Sequence, residues 1–188
     1  MSERTLAGAV VLIALLFCVT AGIGGAVVAA QPDLGSTLLQ AVRDQILGSV
    51  MDKDPFVLFL KIFLNNLEAC ILLFLGGATF GALTVLIIAV NGVVIGGIIE
   101  LVREERGILY VLAAILPHGI VEVPSFLLSG ALGLMLADAL KRDWREGKGA
   151  AAAAGNLARF FLRIVLPLVL LAAFIEAFIT PEIINLVI

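Results

Sequence analysis

Long apolar stretches alternate with short polar segments along this chain. Residues 6–30 carry no charged side chain over 25 positions, and residues 69–99 carry none over 31. About 20 apolar residues are enough for one helix to cross the hydrocarbon core of a bilayer. The first run is too long for the apolar region of a signal peptide, about 7–15 residues, which favours a retained helix. The pattern predicts five membrane-spanning helices, at residues 6–30, 56–77, 81–102, 108–140 and 159–180.

Two parts of this pattern contain residues that interrupt helices. The 56–102 block is long enough for two spans, and it breaks either at 76–81, the preferred position, or at Asn91-Gly92, a strong turn dipeptide. Pro117 and Pro124 interrupt the fourth predicted span, because a proline removes a helical hydrogen bond. That span is either a short re-entrant segment ending near Pro117 and followed by a full crossing, or one kinked and tilted helix.

The first polar segment has a helical pattern of its own. Apolar residues recur at three- and four-residue steps between positions 34 and 50, with Arg43 and Asp44 on the opposite side. This periodicity predicts an amphipathic helix at 34–50. The helix either lies on the membrane surface or packs against the ends of the bundle, and the pattern does not separate these two alternatives.

Composition agrees with a protein whose main partner is the lipid bilayer. Hydrophobic residues make up 62% of the 188 positions and charged residues 14%, against about 45–50% and 25% in soluble domains. An ordinary soluble domain and a disordered chain are therefore excluded. The net charge of −3 offers no basic excess for nucleic acid. Cys18 and Cys70 lie in apolar runs, which argues against a disulfide framework, and no cofactor is predicted.

Basic residues predict the orientation of the chain in the membrane. Six of the 12 lysines and arginines fall between Lys141 and Arg163, and short segments rich in basic residues stay cytoplasmic. Counting five spans then places the N-terminus in the cytoplasm and the C-terminus outside. The predicted architecture is an all-α, multi-pass helix bundle of one domain in the cell membrane.

Several polar residues fall at membrane depth, where each is energetically costly. His118 and Glu122 are four positions apart, so in a helix they share one face. Asn65, Asn66 and Glu68 form a second polar group. Three interpretations stay open: a hydrogen-bonded clamp that ties His118 and Glu122 to the second group, a proton or ion site, and a catalytic or metal site. Motifs of serine nucleophiles and zinc proteases are absent from the sequence, so an enzyme is unsupported.

Helix-breaking residues surround some of these polar groups. His118 lies between Pro117 and Gly119, with Pro124 one and a half turns later, which predicts a helix start or a break between two half-helices. Asn91 beside Gly92 predicts a second break. Discontinuous helices carry midplane binding sites in transporters. A transporter or channel for an ion or small solute is therefore one functional hypothesis.

Glycines recur at helix-packing intervals. Gly77 and Gly81 form one GxxxG pattern, and Gly92 and Gly96 form another. Small residues at this spacing let two helices approach closely. Packing within the chain is the default use of such a pattern, and formation of a homo-oligomer through one of these faces is the alternative.

Three segments together resemble the stage II sporulation protein M family. They are IFLNNLEACILLFLGGATFG, VNGVVIGG and LPHGIVEVPSFLLSGALG, and the element around Pro117, His118, Gly119, Glu122 and Pro124 is the most specific. The resemblance covers residues 56–140. It implies an integral membrane scaffold or assembly factor that organises partner proteins at the membrane, as the family member does for peptidoglycan-degrading partners in spore-forming bacteria. It implies no catalytic residues.

Overall fold

Five long helices make up the part of the chain that the structure describes. This structure is a computed structural model, and it describes residues 4–31, 54–147 and 149–186. All five helices are long and apolar enough to cross a membrane, which confirms the predicted all-α membrane bundle. The predicted amphipathic helix at 34–50 lies outside the described residues. The helices are α1 (Leu6–Ala30), α2 (Pro55–Leu75), α3 (Ala82–Arg106), α4 (Ile108–Glu146) and α5 (Ala151–Asn185).

Local chemistry defines several of the helix ends. The Thr5 hydroxyl accepts the backbone N–H of Gly8 at 3.1 Å at the start of α1. The Asp54 carboxylate accepts the N–H of Phe56 at 2.8 Å at the start of α2. Both side chains satisfy an N–H group that has no partner within its own helix. Gly107, with φ of 84°, separates α3 from α4, and glycine reaches such a conformation without a steric penalty.

A tight turn joins α2 to α3. One turn of 3₁₀ helix, Gly76–Thr79, is followed by Phe80 and Gly81 in the left-handed region. The Thr79 hydroxyl donates to the Gly76 carbonyl at 2.7 Å. The Thr84 hydroxyl, fully buried, donates back to the carbonyl of Leu73 at 2.9 Å. The chain therefore turns at the first of the two breaks that the sequence allowed.

The alternative prediction, a helix break at Asn91-Gly92, is wrong, because α3 is continuous through both residues. The Asn91 side-chain amide donates to the carbonyl of Ile87, one turn earlier in the same helix, at 2.9 Å. The helix thereby satisfies the polar group that suggested a turn. Helix α1 passes directly over Gly92, so a side chain at this position would overlap Thr20 of α1.

The predicted re-entrant segment at Pro117 is also wrong. Pro117 and Pro124 both lie inside α4, which runs unbroken for 39 residues. The predicted helix start or break at His118 is therefore absent. Prolines are tolerated inside membrane helices when neighbouring helices and local adjustments satisfy the freed carbonyl groups. The alternative of one long helix is the one that the structure adopts.

Helix α4 is the centre of the bundle and contacts each of the other four helices. On one side its Leu132 packs with Cys70 of α2 and Val165 and Val169 of α5. On the other side its Leu134 belongs to a second cluster, formed with Ile13 of α1, Leu73 of α2 and Ile88 of α3. The Arg4 guanidinium lies 3.2 Å from the Asp138 carboxylate. The beginning of α1, the α2–α3 turn and the charged part of α4 thus share one end of the bundle, the Arg4 end.

Helix α5 contains two widened turns, and each comes just before a proline. The π-helical segments are Phe161–Val165 and Ile175–Ile179, and the prolines are Pro167 and Pro181. A proline clashes with the carbonyl four residues earlier, which in both cases lies inside the π segment. The second segment carries Glu176, so its wider turn places an acidic side chain toward α4.

We expect the buried Thr84 hydroxyl to contribute measurably to stability. Replacing Thr84 with valine keeps the shape but leaves the Leu73 carbonyl without its donor, and we expect a loss of about 1 kcal/mol. Thermal unfolding in detergent, followed by circular dichroism, measures this loss. The Thr84→Ser variant, which keeps the hydroxyl, should lie closer to the unaltered protein; equal stability of Thr84→Val would contradict the role of this bond.

Candidate functional site

The polar group inside the bundle is built around His118 and Glu122 of α4. Their side chains lie one helical turn apart, with Nε2 of His118 3.8 Å from Oε2 of Glu122. The two side chains are 15% and 31% exposed. They point away from lipid-facing neighbours on their own helix such as Leu116 and Ile120, which are 53% and 65% exposed. The pair therefore lies between helices and retains partial access from outside.

A third ionisable residue, Glu176 of α5, completes this group. One ligand atom from each of His118, Glu122 and Glu176 lies within 4.8 Å of the other two. All three residues are partly buried. We call this set the His–Glu–Glu cluster. Among the described residues, no lysine or arginine lies close enough to Glu122 or Glu176 to form an ion pair.

Thr180 orients the imidazole from the other side. Thr180 is only 5% exposed, and its hydroxyl oxygen lies 3.4 Å from Nδ1 of His118. The same hydroxyl donates to the carbonyl of Ile175 at 3.3 Å. A hydroxyl has one proton to give, so when Thr180 donates to Ile175, its oxygen can accept only from the Nδ1–H tautomer of the imidazole. In that tautomer Nε2 carries the lone pair and faces Glu122.

Buried hydroxyl groups extend from the cluster toward the Arg4 end. The Ser125 hydroxyl donates to the carbonyl of Glu122 at 2.7 Å, and the Ser129 hydroxyl donates to the carbonyl of Ser125 at 2.8 Å. Both serines are fully buried, and the Cys70 thiol of α2 lies beside them. These hydroxyls are satisfied by the backbone of α4, so they stabilise the helix interior without needing a ligand.

The second polar group that the sequence singled out does not join the first. Asn65 and Glu68 are exposed on the outer side of α2, and Asn66 is partly buried. The one hydrogen bond of the pair runs from the Asn65 amide to the Asn66 side-chain oxygen, at 3.4 Å. No hydrogen bond within the described residues links this group to His118. The predicted clamp to α2 is therefore wrong, and α5 supplies the partners of His118 instead.

Two of the glycines that the sequence singled out lie at a close contact between α1 and α3. Gly92 and Gly96 lie against Thr20 and Ala21 of α1, and the absence of a side chain permits this close approach. The other glycines and the helix-breaking prolines lie apart from this contact. Gly77 lies against the backbone of Gly133, and Gly81 has φ of 89° near Leu134. A methyl group at Gly119 would meet the side chain of Ile115 on its own helix, and Pro117 and Pro124 lie within α4.

The sequence alone did not connect Glu176, an acid in the last span, with His118. Thr180 was missed. Its one visible signal is its place directly before Pro181, within four residues of Glu176. Proximity to His118 depends on how α4 and α5 face each other, and the apolar pattern of neither helix determines that.

Sequence comparison relates this chain to a known protein family. The sequence model described as "Stage II sporulation protein M" matches residues 13–181. The uncharacterized protein MJ0793 of Methanocaldococcus jannaschii is 30% identical over 150 residues, covering 77% of this chain and 83% of that protein. The uncharacterized protein MJ0706 of the same organism is 30% identical over 104 residues, covering 54% of this chain and 45% of that protein. No solved structure matches the chain significantly.

Proposed function

Because this chain belongs to the stage II sporulation protein M family, we propose that it acts as a membrane scaffold that holds a partner protein through α2. One observation carries the proposal: α2 presents polar side chains on its outer face. Lys61, Asn65 and Glu68 are all exposed there, with Leu64, 60% exposed, between them. We call these four residues the α2 polar face.

The depth of this face supports a protein partner over lipid. Asn65 is the middle residue of the 21-residue α2, about 15 Å from either end of the helix. Glu68 follows it by less than one turn. A charged residue at the centre of a spanning helix raises the free energy of insertion by about 2.5–3.5 kcal/mol. Polar side chains on such a face reduce this penalty by hydrogen bonding to another helix.

The charges on the face favour a partner other than a second copy. Two copies with the same orientation in the membrane, related by a two-fold axis along the membrane normal, keep equivalent residues at equal depth. Pairing the α2 polar face with itself would bring Glu68 against Glu68 and Lys61 against Lys61. The proposed occupant is a transmembrane helix of a different protein, with an amide or hydroxyl side chain at the depth of Asn65 and a basic or hydroxyl group near Glu68.

The transport hypothesis loses one of the two observations that motivated it. It was based on breaks in the helices near Asn91 and Pro117 together with the polar pair His118 and Glu122, and both α3 and α4 are continuous at those positions. Asn65 and Glu68 lie on the outside of the bundle and not beside His118. The scaffold function, in contrast, uses the residues that the fold leaves on its outer surface.

Photo-cross-linking in the native membrane tests the scaffold proposal. A photoreactive amino acid at Leu64 should form a covalent adduct with another polypeptide. The matched control is Val19 of α1, which is also 60% exposed but belongs to an apolar surface; it should label lipid. Lipid labelling at both positions would overturn the proposal. A Leu64 adduct of twice the mass of this chain would overturn the choice of partner, because the bound protein would then be a second copy of this chain.

The proposed orientation places the N-terminus and the α4–α5 connection in the cytoplasm and the C-terminus outside. Trp144 and Leu186 offer matched reporters, at 85% and 86% exposure. In a background without the native cysteines, the Leu186→Cys variant should react with a membrane-impermeant maleimide in intact cells. The Trp144→Cys variant should react only after permeabilisation. The reverse pattern would show that the orientation is inverted.

A further inference from the structure

We propose that the His–Glu–Glu cluster is a binding site for one divalent transition-metal ion of the zinc type. The ligands would be Nε2 of His118 and one carboxylate oxygen each from Glu122 and Glu176. Two helices, α4 and α5, supply these residues, and one imidazole nitrogen and one carboxylate oxygen of each glutamate already lie within 4.8 Å of one another. The site is independent of the α2 polar face and of the scaffold function.

Charge balance is the first argument. Two carboxylates at membrane depth carry two negative charges when ionised, and the one imidazole beside them offers at most one positive charge. No lysine or arginine of the described residues pairs with Glu122 or Glu176. Buried charges that lack an ion partner either become neutral or coordinate a metal. A divalent cation balances the two carboxylates and leaves the imidazole neutral, which is the form that binds metals.

The orientation of the imidazole is the second argument. Metal-binding histidines almost always donate their other ring N–H to an oxygen, which fixes the tautomer. Thr180 provides such an oxygen, 3.4 Å from Nδ1 of His118, and its hydroxyl also lies within donating distance of the Ile175 carbonyl. In the tautomer in which Nδ1–H donates to Thr180, Nε2 keeps its lone pair and faces Glu122, 3.8 Å away. Thr180 is a positioning residue in this scheme.

The spacing of the ligand atoms fits a site that tightens around its ion. Ligand atoms about 2.0–2.2 Å from a zinc ion lie about 3.3 Å from each other in a tetrahedron. The atoms of the cluster need to move closer by about 1.5 Å or less, which carboxylate rotation can supply. His118 and Glu122 are 15% and 31% exposed, so packed helices do not seal the cluster completely.

The ligand types decide the class of metal. One imidazole nitrogen with two carboxylates suits zinc, manganese or ferrous iron. Calcium takes six to eight oxygen ligands and magnesium six in a strict octahedron, so three residues of this kind select poorly for either. The expected order of affinity therefore places zinc well above magnesium.

Zinc binding to the purified full-length chain tests the proposal. Protein prepared in detergent without chelator, then titrated with zinc chloride, should bind about one zinc per chain by elemental analysis after desalting. His118→Ala and Glu176→Gln should each lower the affinity by at least about 100-fold, and Thr180→Val by about tenfold. Glu105→Gln removes an exposed carboxylate at the end of α3, outside the cluster, and should bind zinc like the unaltered protein.

Two readouts keep the result interpretable if a variant folds poorly. Size-exclusion profiles and circular dichroism identify variants that remain folded, and Glu176→Asp, which retains a carboxylate, should recover part of the affinity. Zinc should also raise the melting temperature of the unaltered protein and not that of Glu176→Gln. A folded protein that binds no zinc, or that binds it equally well without His118 and Glu176, would overturn the proposal. The two buried carboxyl groups would then be neutralised by protonation and not by a metal ion.

Discussion

Replacing Gly24 with alanine is expected to destabilise the chain by about 2 kcal/mol or more, since α1 and α3 cannot then keep their contact. A methyl group on Gly24 would overlap the backbone of Val93, including its carbonyl oxygen. Backbone atoms of a regular helix cannot move aside as a side chain can. Unfolding in detergent, followed by circular dichroism, measures the loss, and Gly96→Ala, whose methyl group would meet the backbone of Ala21, should behave in the same way.

Gly22 provides the matched control on the same helix. Apart from the backbone of α1 itself, no described atom lies within 4 Å of a methyl group placed at this position. Alanine is favoured over glycine inside a helix by about 1 kcal/mol, so Gly22→Ala should leave the stability unchanged or raise it. Equal effects of Gly22→Ala and Gly24→Ala would contradict the close packing of α1 against α3.

Removing two polar groups from the α2 polar face should weaken partner binding without harming the fold. The double variant Asn65→Leu with Glu68→Leu replaces two exposed polar side chains by apolar ones of similar size. Each interhelical hydrogen bond in a membrane contributes about 0.6–2 kcal/mol, so losing two should weaken the association by about tenfold or more. Co-isolation after mild solubilisation measures the association. Thermal unfolding should show the variant to be at least as stable, because leucine is compatible with lipid.

The control for this variant changes the same two positions and keeps hydrogen bonding. Asn65→Gln with Glu68→Gln retains an amide at each position, and most of the partner should still be recovered. If the leucine and glutamine variants retain the partner equally well, the association does not depend on the polarity of α2. If both variants lose the partner, the shape of the face decides binding and its hydrogen bonds do not.

Hydropathy was sufficient to locate the five helices, because only long apolar helices satisfy their backbone polar groups within lipid. The same rule explains where the pattern misled. Asn91-Gly92 favours a turn in the sequence, but inside an apolar helix the Asn91 amide bonds to the carbonyl of Ile87. Pro117 allows a re-entrant segment or one long helix, and the helix packed among four others continues through it. Local turn propensities therefore carry less weight within a membrane than in water.

The partners of His118 could not be read from the sequence, because they depend on which faces of α4 and α5 meet. Membrane helices are apolar on most sides, so no polar stripe fixes their rotation. The π segment that presents Glu176 follows from a local clash at Pro181. The outward position of Asn65 and Glu68 was equally hidden, since sequence reasoning expects polar residues at membrane depth to point inward. That exception is the basis of the proposed scaffold function.

The most direct test of this account is the yield of the Leu64 photo-adduct in native membranes, compared between the unaltered chain and the Asn65→Leu, Glu68→Leu variant. The account predicts one discrete adduct with a different polypeptide in the unaltered chain, and a yield at least about tenfold lower in the variant. Expression and melting temperature should be matched in the two samples. A discrete adduct whose yield does not change in the variant, or labelling of lipid alone in the unaltered chain, would contradict the claim that the α2 polar face holds a partner.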